Sequence, residues 1–272
     1  MKSNSVKDIQ ICKVVRDEKS AFSDVVAIER ALKINICSAS HPNSLHRLAL
    51  TMCTPGDDEH LAVGYLFAER IIDCFQDVSH ILHNESDEIT VALNNYEHID
   101  WNQHERSGVV SSSCGVCGKT EMDNYLLSSN TISQAYRVKT KVLYNIPGLL
   151  KSHQDIFSKT GGVHGSALMR DGQIISYFED VGRHNALDKL GGYILKSEIS
   201  ILPNDILILS GRVSFELIQK ADRLGFRIVT AFGAPSSLAI DIATRTGILL
   251  IGFLNENSFN IYTCNEDTEF ID

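Results

Sequence analysis

Cys114 and Cys117 stand three residues apart in Ser111-Ser112-Ser113-Cys114-Gly115-Val116-Cys117-Gly118-Lys119, among side chains that offer almost no steric cover. A thiol acts as a nucleophile only as thiolate, and a Cys-x-x-Cys pair beside a cation such as Lys119 is a setting that lowers its pKa. The flanking glycines let the backbone turn sharply or approach a ligand. Two chemistries fit the spacing: redox or sulfur chemistry at the thiols, and metal binding as half of a structural zinc site. No second Cys-x-x-Cys is present. Cys12, Cys37, Cys53, Cys74 and Cys264 occur singly, several inside apolar runs where a free cysteine is a small core residue.

Three further stretches are dense in reactive groups. Glu179-Asp180-Val181-Gly182-Arg183-His184-Asn185-Ala186-Leu187-Asp188-Lys189 places acid, base, imidazole and amide together, Ser210-Gly211-Arg212 repeats a polar turn, and Thr160-Gly161-Gly162-Val163 leads into His164. Each residue has a plainer reading, since Asp and Asn cap helices, Arg pairs with carboxylates and a lone His often only completes a surface. Their convergence depends on the elements that carry them.

Residues 1 to 20 are polar and mixed in charge and read as a loose arm. Val25 to Ile28 and Leu32 to Cys37 read as a strand pair and Arg47 to Cys53 as another strand. Thr54-Pro55-Gly56-Asp57 opens a helix expected to run to about Ile72, with Asp57, Asp58 and Glu59 at its positive end. Val78 to His83 and Ile89 to Leu93 form a hairpin. An amphipathic helix is expected over Pro147 to Lys159, closed by Thr160-Gly161-Gly162. Ala167 to Arg170 and Ile174 to Glu179 pair across Asp171-Gly172, a strong hairpin signal. A helix follows Gly182, and then strands at 206–210, 227–231 and 248–253 alternate with helices at 214–224 and 236–245. Such alternation implies a largely parallel sheet with helices on its faces. Ligands of open α/β sheets sit beyond the carboxyl ends of the strands, so Asp180 to Arg183, Ser210 to Val213 and Phe232 to Pro235 should line one crevice. Backbone N–H groups at the helix starts there favour an anion.

The chain has 272 residues, 43% hydrophobic and 22% charged, ordinary for a globular protein of one large or two modest domains. Seven cysteines without framework spacing and no amino-terminal signal pattern point to a reducing cytoplasm. No segment approaches the ~18 unbroken apolar residues of a membrane span. The net charge of -9 argues against nucleic-acid or anionic-membrane partners, so any anionic ligand must be caught by local groups.

Thr54-Pro55-Gly56-Asp57, Cys114-Gly115-Val116-Cys117-Gly118-Lys119, Thr160 to His164, Glu179 to Lys189 and Ser210-Gly211-Arg212-Val213-Ser214-Phe215-Glu216 together resemble the FdhD family of formate dehydrogenase accessory sulfurtransferases, in order from about Asp24 to Thr263. The resemblance implies a sulfur carrier that accepts persulfide sulfur from a cysteine desulfurase on Cys114, with Cys117 assisting. It implies transfer of that sulfur to the molybdenum cofactor, bis-molybdopterin guanine dinucleotide, bound as substrate without a tightly bound metal of the protein's own. Formate dehydrogenase is the implied client, and a homodimer is compatible with the family. The implied fold is a cytidine deaminase-like three-layer α/β catalytic domain at 111–272, with a smaller α+β N-terminal domain at 22–110. The family's cofactor segment before the final strand corresponds to Phe253, Leu254, Asn255, Glu256, Asn257 and Ser258. The strand-end crevice adds His164, Arg183, His184 and Arg212 as cofactor-binding candidates. The chain departs from the family where arginines are common around the last strand turn, here Asn255 and Ser258, and Glu256 adds a negative charge.

The deaminase likeness raises a rival enzyme reading. A zinc deaminase needs His-x-Glu at a helix start and Pro-Cys-x-x-Cys at the next strand-to-helix turn. Here those places read His184-Asn185-Ala186 and Ser210-Gly211-Arg212-Val213-Ser214, which lack the proton-carrying Glu and both thiolates. A thioredoxin-like protein would open a helix with its Cys-x-x-Cys, and Ser111 to Gly118 is too glycine-rich for that. The alternative left standing is a thiol-disulfide redox or structural zinc-binding protein with a guanine-nucleotide pocket.

Overall fold

The computed structural model describes residues 5–83, 87–99, 137–264 and 268–271. The loop carrying Cys114 and Cys117 lies outside the described residues. The expected loose arm is instead mostly strand. β1 (Val6–Val15) and β2 (Glu18–Ala27) pair antiparallel from Val6↔Ala27 to Val15↔Glu18. Arg16 and Asp17 form the turn with φ of 48° and 70°, the two left-handed residues that a tight hairpin with the right twist needs. Val25 therefore faces Asp8 in β1, and the strand pair expected between 25–28 and 32–37 does not form.

β3 (Arg30–Ser38), β4 (His41–Cys53), β5 (Val78–His83) and β6 (Glu88–Leu93) make a four-stranded sheet in the order β4-β3-β6-β5, with β3 and β6 parallel. α1 (Asp58–Ala68) follows the Thr54-Pro55-Gly56-Asp57 turn and stops short of the expected Ile72, where Arg70 takes a left-handed φ of 59°. Every residue from Leu61 to Phe67 is buried. A helix buried all round must be covered on two sides. Ile34, Ile36, Ile89 and Val91 of the sheet cover one of them.

β7 (Arg137–Lys139) leads into α2 (Thr140–Lys151) and a single turn, α3 (Phe157–Thr160). The one helix expected over Pro147 to Lys159 is thus two, and Pro147 lies inside α2 rather than at its start. The break has a physical cause: the Glu179 carboxylate accepts the backbone N–H of Ile156 at 2.8 Å and of Phe157 at 2.9 Å, satisfying amides that a continuing helix would have used internally.

β8 (His164–Arg170) and β9 (Gln173–Asp180) form the hairpin read from Asp171-Gly172, whose φ values are 50° and 78°. Then come α4 (Arg183–Lys196), β10 (Ile206–Leu209), α5 (Phe215–Arg223), β11 (Ile228–Ala231), α6 (Ser237–Thr246), β12 (Leu249–Gly252) and β13 (Asn260–Thr263). The six-stranded sheet runs β13-β12-β11-β10-β8-β9. β10, β11 and β12 are parallel, while β8 is antiparallel to both its neighbours and β13 to β12, so the sheet is mixed where a largely parallel one was expected. β14 (Glu269–Ile271) pairs parallel with β7.

Alternation along β10 assigns the two faces. Leu207 and Leu209 pack with Leu187, Leu190, Leu217 and Ile242 of α4, α5 and α6. Ile206 and Ile208 pack with Leu143, Ile146 and Leu150 of α2. The result is a mixed α/β architecture in which helices cover both faces of the larger sheet. The strand directions bring the carboxyl ends of β9, β10, β11 and β12 and the amino end of β8 to one rim. Among the described residues no helix is long and apolar enough to cross a membrane.

α4 supplies the second cover of α1. The two helices touch through glycine: a Cβ at Gly64 would lie 1.9 Å from the carbonyl oxygen of Asp188, and one at Gly192 would lie 1.9 Å from that of His60. Only hydrogen fits at either place.

Candidate functional site

The polar cluster at 179–189 divides into a buried half and an open half. Asp180 and Lys189 form a 2.7 Å ion pair with side chains 0% and 1% exposed. Asp180 Oδ2 also accepts the Thr54 N–H, and Oδ1 accepts the Gly182 N–H and an Asn185 side-chain N–H. Lys189 Nζ donates to the carbonyls of Thr54 and Glu179. Asn185 donates to the Met52 carbonyl and accepts from Thr51 Oγ1, and Val181 N–H donates to Thr54 Oγ1. A charge pair so far from water persists only when each remaining lone pair and proton has a partner, and here each does. These residues lock the end of β4 to the start of α4. Asp188, also buried, is paired with Lys220 of α5. Asp180, Asn185, Asp188 and Lys189 are therefore structural.

The open half lies along the shared rim. His164 begins β8 and pairs across to Asp180, while Arg183 and His184 begin α4. Ser210 is bound to β8 in both directions, its hydroxyl accepting the Gly165 N–H at 2.8 Å and its own N–H reaching the Gly165 carbonyl. The loops after β10 and β11 zip together through Gly233 N–H to Gly211 O, Val213 N–H to Ala234 O and Ser236 N–H to Val213 O. Their backbones approach so closely that a Cβ at Gly233 would sit 2.7 Å from the Arg212 nitrogen. Gly211 is less confined, since a Cβ there would meet a side chain, lying 3.0 Å from His164 Nδ1. The three expected loops do converge, and Gly211 is the surface on which the His164 ring rests.

Electrostatics define the crevice. Burial, then the positive charges of Arg183 and Arg212, hold the His164 imidazole below its ordinary pKa of 6.5, with Asp180 opposing. Among the described residues the buried Arg183 Nε finds no hydrogen-bond partner, and neither Arg183 nor Arg212 forms an ion pair. His184 Nε2 lies 3.1 Å from Glu216 Oε2 and 3.2 Å from Ser214 Oγ, and Ser214 Oγ donates to the same carboxylate oxygen. Burial works against the Glu216 carboxylate, but the hydrogen bond and charge of His184, then Ser214 and Lys220, hold its pKa below the usual range. In a chain of net charge -9, two guanidiniums without an acidic partner among the described residues, beside the His164 imidazole, give this rim local positive charge.

The segment after β12 sits on the same rim. Phe253 has a left-handed φ of 52° and is 48% exposed, whereas Leu254 is 2% exposed and packs into the core on the α2 side. The Asn255 side chain is occupied by its own turn: Nδ2 donates to Phe253 O and Ser258 Oγ, and Oδ1 accepts the N–H groups of Asn257 and Ser258. Glu256 pairs with Lys151 of α2 at 3.2 Å on the surface. Asn255 therefore serves geometry, and the cationic groups of the crevice are Arg183 and Arg212.

Of the described cysteines, Cys37 and Cys53 are buried and Cys12 and Cys264 exposed. Burial first, then the Asp180 carboxylate, push the Cys53 thiol up to about 12. Glu216 and Ser214 carry no local signal of a role, although both lie in the Ser210 to Glu216 stretch. Asp180, Asn185 and Lys189, open in the sequence between crevice chemistry and capping or pairing, take the structural role. Asn185 and Lys189, four apart, share the helix face that turns back toward Asp180, but nothing local in the sequence shows that this face is buried.

Fold and site together define a class: a mixed α/β protein with a cationic strand-end crevice set into an acidic chain. Residues 27–269 match the model of the FdhD/NarQ family. The chain belongs to that family. Among its relatives, the sulfur carrier protein FdhD of Sulfurisphaera tokodaii is 37% identical over 262 residues, 96% of this chain and 98% of that one. The protein of the same name from Streptomyces coelicolor is 36% identical over 267 residues, 92% of each chain. The fold is similar to a crystal structure described as that of a formate dehydrogenase accessory protein from Desulfotalea psychrophila, with a TM-score of 0.76 at 22% identity, covering 98% of this chain and 100% of that one.

Proposed function

We propose that this chain is a sulfur carrier in the maturation of formate dehydrogenase. Cys114 takes the outer sulfur of a cysteine desulfurase persulfide, becoming a persulfide itself. Cys117 then either attacks the inner sulfur, releasing hydrosulfide as a disulfide forms, or keeps the pair reduced. The acceptor is the molybdenum cofactor in its guanine dinucleotide form, bound as substrate in the strand-end crevice, within a three-layer frame of the cytidine deaminase type. The names of the relatives support the carrier role. The observation that carries the crevice assignment is the pair of guanidiniums, Arg183 and Arg212, that find no acid among the described residues. Phosphate oxygens would satisfy them, including the buried Nε of Arg183.

Intact mass after incubation with a desulfurase and cysteine tests the carrier: one extra sulfur, mapping to the Ser111 to Lys119 peptide and removed by reductant, is expected. Cys114→Ala should lose it and should no longer support formate dehydrogenase. Stoichiometric zinc held by Cys114 and Cys117 would overturn the carrier reading in favour of a structural one. Calorimetry with GDP tests the crevice. Arg183→Ala and Arg212→Ala should each weaken binding by about 1 to 3 kcal/mol if each makes a charge-assisted hydrogen bond. Binding indifferent to both would place the cofactor elsewhere.

A further inference from the structure

We propose that Glu216 is a positioning residue that fixes the tautomer of His184, so that His184 Nδ1 is the proton acceptor of the crevice. An ionised carboxylate only accepts, so the nitrogen facing it at 3.1 Å must carry a hydrogen. Ser214 Oγ gives its own proton to Glu216, which leaves the hydroxyl oxygen free to accept and not to donate to His184. Both partners therefore demand Nε2–H. In the neutral imidazole the lone pair is then on Nδ1, which makes no hydrogen bond to any described residue. A carboxylate that orients an imidazole through one ring nitrogen while the other meets the reacting group is a general acid-base device.

The surroundings separate the two crevice histidines. His164 lies under the influence of Arg183 and Arg212 and is held neutral, with no carboxylate bonded to its ring among the described residues. Among the described residues, charged or titratable groups near His184 include Glu216 of α5, on which Lys220 also acts, Asp188 one turn along α4 and already paired with Lys220, His164 of β8, and Arg183 beside it at the start of α4. Glu216 is the one in direct hydrogen-bond contact. Its role would not be visible in any motif read for nucleophiles, because it never reaches the reacting atoms.

The chemistry rests on the sulfur-carrier reading. A thiol brought into the crevice loses its proton to His184 Nδ1. The thiolate attacks the outer sulfur of a persulfide, the S–S bond breaks, and the departing thiolate recovers the proton from the imidazolium. In sum, RSSH and R′SH become RSH and R′SSH, with no external oxidant or reductant.

Long-range proton–nitrogen spectra of the histidine-labelled full chain give the tautomer directly. The expected result is Nε2–H for neutral His184, a mixture of tautomers in Glu216→Gln, and recovery in Glu216→Asp. The same proteins are given glutathione persulfide, and sulfur uptake is followed by mass against pH. Glu216→Gln should slow uptake about 10²-fold near neutral pH, and Glu216→Asp should restore part of the rate along with the tautomer. An Nδ1–H tautomer in the unmodified protein, or uptake not slowed by Glu216→Gln, overturns the proposal. If the unmodified protein takes up no sulfur while the tautomer still depends on Glu216, the sulfur-carrier reading fails and the positioning of His184 stands.

Discussion

Partial burial, and then the positive charges of Arg183 and Arg212, disfavour the imidazolium of His164. The unfolded chain, with an ordinary histidine pKa of 6.5, binds the proton before the folded one does. Stability due to this residue is thus full above about 6.5 and is lost as pH falls from there toward the lower folded value. Arg183→Ala and Arg212→Ala should each raise the pKa of His164 in NMR titrations; an unchanged titration would mean that the guanidiniums do not face it. The cysteines make a second residue-level test. Cys37 and Cys53 are buried, and Cys53 is held protonated by its surroundings, so iodoacetamide should spare both in the native protein while labelling Cys12 and Cys264. Rapid native labelling of Cys53 would contradict the packing described for β4.

At the scale of elements, the crossing of α1 and α4 has the tightest tolerance in the described molecule. Gly64→Ala and Gly192→Ala each drive a methyl into a backbone carbonyl of the facing helix, which neither a rotamer change nor a side-chain shift relieves. Each should cost about 3 kcal/mol or more, the upper end of overpacking, measured by denaturant unfolding. Gly148→Ala, which meets nothing within 4 Å, serves as the control and should be near neutral. The elements also show which signals reach the sequence. Asp171-Gly172 announced the β8–β9 hairpin because glycine at φ 78° is a local requirement. Arg16-Asp17 does the same work for β1–β2 without a glycine, and its strands are too polar to alternate visibly. The break between α2 and α3 was illegible for a different reason. Its cause is Glu179, more than twenty positions downstream, reaching back to two amides. The strand-end loops of the site could be read because strand-helix alternation fixes where they must lie. The roles of Asp180 and Lys189 could not, because burial is decided by Thr51, Met52 and Thr54, which are remote in sequence.

For the whole molecule, the Asp180–Lys189 pair joins the smaller sheet to the larger. Removing one partner leaves a buried charge without its counterion, so Asp180→Asn or Lys189→Met should cost about 3 to 5 kcal/mol. The double variant Asp180→Asn with Lys189→Met should be milder than the sum of the two, because it leaves no orphan charge. Chemical denaturation of the four proteins checks this, and strict additivity would count against a coupled pair.

That pair also sets limits on how this chain can be cut and recombined. Asp180 and Lys189 draw partners from the backbone of Thr54, and Asn185 draws them from Thr51 and Met52, so a fragment starting after Asp57 would present two ionised groups to a wound in its own surface. The larger sheet, for all its regular strand-helix alternation, is then no transplantable cassette. A gene fusion or split-protein experiment that grafts residues 111–272 alone should yield insoluble or molten material, while co-expression of the missing amino-terminal piece should restore it by complementation. A recombination point that respects this chemistry lies upstream of Thr51.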